Sequence, residues 1–373
     1  MKMQAPQATI AVLFGGRSGE HEVSLESAAS VFSVLSPEKY HIIPIGIDHS
    51  GVWWMGEGIH EALSAREQPT TQRFQQVTFL NQPGDQSLYA INGGKLTAVT
   101  TIDMVFPVLH GTFGEDGTLQ GYLDLIGMAY VGAGVLGSAV GMDKAIFKDV
   151  MRAHNITIVP SLTVTRKDIR ADINVILDEA ERQFTYPIFT KPANLGSSVG
   201  ITKCKNRSDL LEGIMDAARY DRRILIERGV DAREIEISVL GNEQPRASVP
   251  GEVVPCDEFY SYDAKYIDGD SALLIPAPLE KEIASAMRET AVRAYKAIDC
   301  AGMARVDFLL EKDTGIFFLN EVNTIPGFTK ISMYPKLWEA SGLNYASLVD
   351  ELISLALDRS SEREQTIYVY DGV

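Results

Sequence analysis

Apolar positions alternate with polar ones in short runs along this chain and recur at helical spacing between those runs, so strands and helices interleave from end to end. Residues 8–16 read as an apolar strand running into a glycine turn. A helix from Ser24 to Leu35 and a strand at 40–47 then complete the βαβ start of a nucleotide-type sheet. Residues 63–94 are polar, rich in Gln and Thr and nearly aperiodic, which predicts an elaboration without defined elements. A strand returns at 103–109. Beyond it the pattern predicts a helix at 138–154, a strand at 160–165, a helix at 169–184 and a strand at 187–191. A Gly/Ser loop, a strand at 199–203, a helix at 208–220 and a strand at 223–227 follow. Residues 234–241 and 247–254 alternate as antiparallel strands, 255–275 is a long loop of the kind that serves as a lid, and 280–299 is a helix. A hairpin at 304–323, two short helices and a loosely held tail from 360 complete the chain.

This order predicts an α/β protein of α+β lobes. An N-terminal open parallel α/β domain spans 1–142, a small central α+β domain 143–228, a C-terminal antiparallel-sheet α+β domain 229–360, and a tail 361–373. A chain of 373 residues suits two or three cores. Its apolar content of 45%, with no long apolar run and no signal-peptide pattern at 1–10, predicts a cytoplasmic protein with no membrane partner. Cys204, Cys256 and Cys300 lie at wide spacings without a zinc motif, as reduced residues do. The net charge of -16, with no basic run, argues against nucleic acid but leaves room for ATP, which needs only a local cationic pocket.

The hairpin carries the first chemistry. Val306, Phe308 and Leu310 alternate along one arm and Phe317, Leu319 and Glu321 along the other, joined through Asp313, Thr314 and Gly315. If Lys312 and Ile316 close the turn, Asp307 faces Glu321 and Arg305 faces Asn323, all on one side of the sheet. Two acids roughly 5 Å apart repel. One remedy is a hard divalent cation held by Asp307, Glu321 and the Asn323 carbonyl, a magnesium ligand set. The other is neutralisation by Arg305.

Lys191 ends an apolar strand immediately before the Gly/Ser loop Pro192 to Gly200, whose amides and the hydroxyls of Ser197 and Ser198 suit phosphate oxygens. The loop lacks the Walker spacing. Lys144 and Lys265 add cations from other segments, and three lysines with a metal face are what a triphosphate needs. Glu227 exits a strand where it suits ribose hydroxyls or a surface ion pair.

Taken in order, GGRSGEHEVS, HGTFGEDGTLQG, MDKAIFK, FTKPANLGSSVG, ILIERGVDAREIE, FYSYDAKY, GMARVDF and NEVNTIPGFTKIS resemble the D-alanine-D-alanine ligases of the ATP-grasp superfamily nearly from end to end. The resemblance implies that 143–228 and 229–360 are the two ATP-grasp lobes and that the substrates are ATP and D-alanine, with two magnesium (or manganese) ions. It implies that Glu20 anchors the ammonium of the first D-alanine in a set with Ser197 and Tyr266. Lys144 and Lys191 would hold ATP phosphates, Lys265 would reach the transferred phosphoryl group, and Glu227, Arg228, Val230, Glu234 and Phe259 would line the adenosine pocket. Arg228 stands where the family commonly has Lys. Asp307, Glu321 and Asn323 match the magnesium ligands, and Ser332 and Met333 the second-substrate site. Arg305 suits an oxyanion, while His110 lies near the substrates or only orders its loop. A homodimer is expected.

Within the enzymes, a D-serine or D-lactate ligase is the competing reading. Tyr266 stands where lactate-using members carry His, which disfavours the second, whereas selectivity for D-serine rests on the pocket around Met333. A catalytically dead ATP-binding regulatory protein is the alternative from another class, and the intact Glu20, Lys191, Arg305 and metal-type residues speak against it.

Overall fold

Ile10 to Phe14 are fully buried on both faces of the strand Ala8–Gly15 (β1), as a parallel strand covered by helices requires. The computed structural model describes residues 8–196, 199–254, 272–329 and 331–368. β1 pairs in parallel with Tyr40–Ile47 (β2) on one side and Met104–Pro107 (β7) on the other, and β7 pairs in parallel with Ala129–Tyr130 (β8). Trp53–Met55 (β3), Gln75–Phe79 (β4), Ser87–Asn92 (β5) and Lys95–Thr101 (β6) extend the sheet antiparallel from β2. The order is β6-β5-β4-β3-β2-β1-β7-β8, so the N-terminal sheet is mixed rather than wholly parallel. Residues 63–94, expected to lack elements, supply two of the added strands. Val77, Phe79, Leu88 and Ala90 are buried there, a two-strand alternation masked by the polar residues around it.

The second sheet has the order β11-β10-β12-β9, built from Ser161–Thr165 (β9), Ile188–Pro192 (β10), Thr202–Cys204 (β11) and Arg223–Arg228 (β12). The helices expected at 138–154 and 169–184 are each divided by a capping aspartate. Asp143 accepts from Ala145 N and Ile146 N to start Lys144–Ala153, and Asp172 accepts from Asn174 N to start Ile173–Gln183.

The third sheet runs β16-β15-β13-β17-β18, from Ala232–Leu240 (β13), Gly251–Val254 (β15), Ala272–Leu274 (β16), Met303–Glu311 (β17) and Phe317–Asn323 (β18). A short strand Arg246–Ala247 (β14) pairs with β13. One apolar cluster joins Val12 and Phe106 of the first sheet to Leu240, Met303, Phe328 and Trp338 of the third lobe. The two end lobes therefore share a core, while the central sheet has its own around Ile188, Ile214 and Ile226. The last helix, Tyr345–Glu364, takes in the first four residues of the expected tail 361–373, and Arg363 pairs with Asp124 of the first lobe. Among the described residues no helix is long and apolar enough to cross a membrane.

Candidate active site

The hairpin register comes out as predicted, with Arg305 opposite Asn323 and Asp307 opposite Glu321, but by a different route. The turn closes at Glu311 and Ile316, where Glu311 N donates to Ile316 O at 2.9 Å, not at Lys312. Phe308 therefore pairs with Leu319, and a register shift between Asp307 and Phe308 inserts Asn320 as the extra residue, returning the site residues to the expected pairing. On its other edge β17 pairs with β13, which sets Glu236 opposite Asp307. Glu236, Asp307 and Glu321 thus form one row across three strands.

Arg305 lies beside this row on the same face, between Ser238 and Asn323. Its Nε and Nη2 donate to the two oxygens of Asp307 at 2.7 and 2.6 Å, and Nε lies 3.1 Å from Glu236 Oε2. Burial alone would lower the Arg305 pKa, yet Asp307 and Glu236 raise it well above the ordinary value. Of the two remedies for like charge, the arginine is realised in the structure. The residues also fit a hard cation, because Asn323 Oδ1 is buried with no hydrogen-bond partner and faces the same side as the acids. No group of three His, Cys, Asp or Glu residues poised for a metal occurs among the described residues, so that fit rests on two carboxylates and an amide.

The central sheet faces the row with a buried chain of charge. Glu227 Oε2 lies 2.5 Å from Lys191 Nζ, and Glu227 Oε1 lies 2.6 Å from Nζ of Lys148 on the helix Lys144–Ala153. Burial would raise the Glu227 pKa, but Lys191 and Lys148 outweigh it and hold the carboxyl at about 2. The side chain is thereby committed to two ammonium groups. Lys144, one helical turn before Lys148, donates to Leu195 O at 2.7 Å at the edge of the Gly/Ser loop. Asp143 steadies that helix start by binding Arg223 and, at 2.9 Å, Asn194 Nδ2.

The first lobe closes the end of the cleft. A Cβ on Gly111 would stand 2.5 Å from Glu20 Oε2, and one on Gly196 3.1 Å from the same oxygen. The Glu20 carboxylate is therefore set between the loop after β7 and the Gly/Ser loop. Buried His110 lies 2.9 Å through Nδ1 from Ile325 O and 3.0 Å through Nε2 from Ser27 Oγ; burial lowers its pKa, so the neutral ring donates at Nδ1 and accepts at Nε2. It orders the junction with the segment after β18 and also lines the cavity. Glu115 does similar work, accepting from Gly111 N at 2.8 Å and Ile325 N at 3.3 Å. Burial and the charge of Glu20 push its carboxyl up to about 8.

Between these elements lies one cavity of about 1270 Å³. Of the residues singled out from sequence, Glu20, His110, Lys144, Lys191, Glu227, Arg228, Val230 and Glu234 border it, together with Arg305, Asp307, Glu321, Asn323, Ser332 and Met333. The Arg228 guanidinium is directed to Glu311 at 3.1 Å and the Phe318 ring at 5.1 Å, an arrangement in which its side chain is occupied by protein groups. Ser332 Oγ accepts from Thr329 N at 3.1 Å just before the helix Met333–Ala340. Ser197, Ser198, Phe259, Lys265 and Tyr266 lie outside the described residues. Sequence reasoning missed Lys148, Glu115 and Glu236. Lys148 was open to discovery as the i+4 partner of Lys144, whereas Glu236 needed the β13–β17 register.

A family model described as D-ala D-ala ligase N-terminus matches residues 9–133, and one described as D-ala D-ala ligase C-terminus matches residues 150–354. The D-alanine--D-alanine ligase of Heliobacterium modesticaldum is 49% identical over 357 residues, covering 96% of this chain and 96% of its own. That of Thermoanaerobacter sp. is 51% identical over 365 residues, covering 95% of this chain and 98% of its own. Among solved structures, the D-alanine-D-alanine ligase from Coxiella burnetii matches with a TM-score of 0.81 at 36% identity over 97% of each chain. The VanG D-Ala:D-Ser ligase from Enterococcus faecalis matches with a TM-score of 0.84 at 36% identity, over 94% of this chain and 100% of its own.

Proposed function

The chain belongs to the D-alanine-D-alanine ligase family, with its ATP-grasp architecture, and we propose that its cavity joins two D-alanines into D-alanyl-D-alanine while ATP is cleaved to ADP and phosphate. The observation that carries this reading is the meeting of the buried lysines of the central sheet with the arginine-bearing acid row of the third sheet in one cavity. A carboxylate is a poor acyl donor, so the γ-phosphoryl group of ATP passes to the carboxylate of the first D-alanine, giving an acyl phosphate. Glu20 holds that alanine's ammonium, while Lys144 and Lys191 bind the phosphates and spread their charge. Asp307, Glu321 and Asn323 would hold magnesium or manganese, which when bound neutralises charge on the phosphoryl oxygens. The second D-alanine, seated at Ser332 and Met333, attacks the acyl carbon through its free amine. Arg305 stabilises the oxyanion before the bond to phosphate breaks. Adenosine lies against Val230 and Glu234, and the family's pattern gives Lys265, Ser197 and Tyr266 the roles stated from sequence. The reading extends to a homodimeric cytoplasmic enzyme supplying peptidoglycan precursors.

The likeness to the VanG D-Ala:D-Ser ligase supports a second reading, with D-serine as the acceptor. Mass spectrometry of products formed from ATP, magnesium and an equimolar mixture of D-alanine, D-serine and D-lactate, alongside phosphate release, separates the two. D-alanyl-D-alanine in step with phosphate is expected. A mixed product keeps the mechanism and overturns the specificity, and ATP binding without any product revives the regulatory reading.

A further inference from the structure

Lys148 has no part in the chemistry described above, yet it is among the most deeply buried charged residues of those described, at 3% exposure. It occupies the helical position one turn after Lys144, with its Nζ 2.6 Å from Glu227 Oε1 and 3.2 Å from Val159 O. The other Glu227 oxygen is the one that meets Lys191. The strand register explains the geometry. Phe189 pairs with Glu227 and Lys191 with Leu225, so Lys191 and Glu227 are diagonal neighbours on one face of the sheet, and the helix lays Lys148 over them.

Two ammonium groups and one carboxylate leave a single positive charge, and it is displayed only at Lys191, which borders the cavity while Lys148 does not. Without Lys148, Lys191 and Glu227 would form a closed, neutral pair. We propose that Lys148 is a positioning residue that takes up the Glu227 carboxylate and so leaves the Lys191 ammonium positive toward the phosphates of ATP. This rests on the ATP reading above. It assigns Glu227 a role in orienting Lys191 through the charge chain.

The test compares ligands that differ only in phosphate. Titration calorimetry of the full chain with ATP, ADP and adenosine gives the ratio of nucleotide to nucleoside affinity. In Lys148→Met that ratio falls on the order of tenfold to a hundredfold, the worth of a charge-assisted contact, while adenosine binding holds. In the double variant Lys148→Met with Glu227→Gln the ratio recovers, because the Glu227 side chain no longer carries a charge that neutralises Lys191. Any effect of Glu227→Gln on the base cancels in the ratio. Should Lys148→Met fail to fold, Lys148→Gln, which keeps a hydrogen-bond donor to Glu227 without the charge, is read in its place: a lowered ratio supports the proposal and a parent-like one overturns it. An unchanged ratio in Lys148→Met overturns the proposal. So does an equal loss for ATP and adenosine, since it marks Lys148 as packing support alone. A parent protein that binds adenosine and ATP equally overturns the ATP reading itself.

Discussion

Replacing Arg305 by methionine should separate metal affinity from chemistry. In the parent the guanidinium donates to both Asp307 oxygens, at 2.7 and 2.6 Å, and reaches Glu236 at 3.1 Å, so a cation binding Asp307 must compete with it. Methionine retains much of the side-chain volume and removes the charge shared by the acid row. Removing one partner of a buried ion pair costs about 3–5 kcal/mol, and the side-chain exposure here, 18% for Arg305 and 14% for Asp307, places the loss near the lower figure. In EDTA the expected fall in melting temperature is roughly 5–10 °C for the lobe carrying the hairpin. Magnesium should then recover more stability in the variant than it adds to the parent, because the metal supplies the missing charge and meets no competitor at Asp307. Calorimetry without nucleotide should find tighter magnesium binding in the variant. Turnover should nevertheless drop by about 10²–10³, the cost of losing an oxyanion donor. Equal magnesium stabilisation of parent and variant, or turnover within tenfold of the parent, would refute the reasoning.

Three further outcomes are expected. Glu321→Gln removes one anionic ligand and should weaken magnesium binding and lower turnover sharply with the fold intact by circular dichroism; unchanged magnesium dependence contradicts the ligand assignment. Gly111→Ala places a methyl 2.5 Å from Glu20 Oε2 at a φ of +73°, where an L side chain costs about 1–2 kcal/mol. The D-alanine KM should rise roughly tenfold or more while the ATP KM holds, and an unaltered D-alanine KM removes Glu20 from ammonium binding. Glu115, whose carboxyl is pushed up from 4.5 to about 8, binds its proton more tightly in the folded chain. Its contribution to stability is present below pH 4.5 and is lost as pH rises toward 8. Melting curves of Glu115→Gln in magnesium-free buffer should therefore gain on the parent across that interval, and a constant difference between the two contradicts the assignment.

Counting along the two arms from Val306 to Leu319 placed Arg305, Asp307, Glu321 and Asn323 together only because two shifts of one residue, at the turn and at the bulge, cancel. The same counting misjudged the turn by one residue, and the bulge at Asn320 restored the register; no local signal distinguishes that residue from its neighbours. The polar stretch 63–94 hid two strands because each is short and buries only alternate residues, Val77 and Phe79 in one and Leu88 and Ala90 in the other, among polar neighbours.

By itself the sequence determined most of the elements outside 63–94 and which chemical groups their ends carry, since propensity, capping and alternation act over a few residues. It carried the lysine-bearing strand end, the glycine loops and the acid-bearing hairpin in recognisable order. Only the tertiary structure decided who neutralises whom. Glu236 joined the acid row through pairing of β13 with β17, Lys148 met Glu227 through helix-on-sheet packing, and Glu115 was shut between Glu20 and the segment after β18. Buried charges act through a few ångströms of low-dielectric space, and which groups share that space is fixed by contacts between residues far apart in the chain.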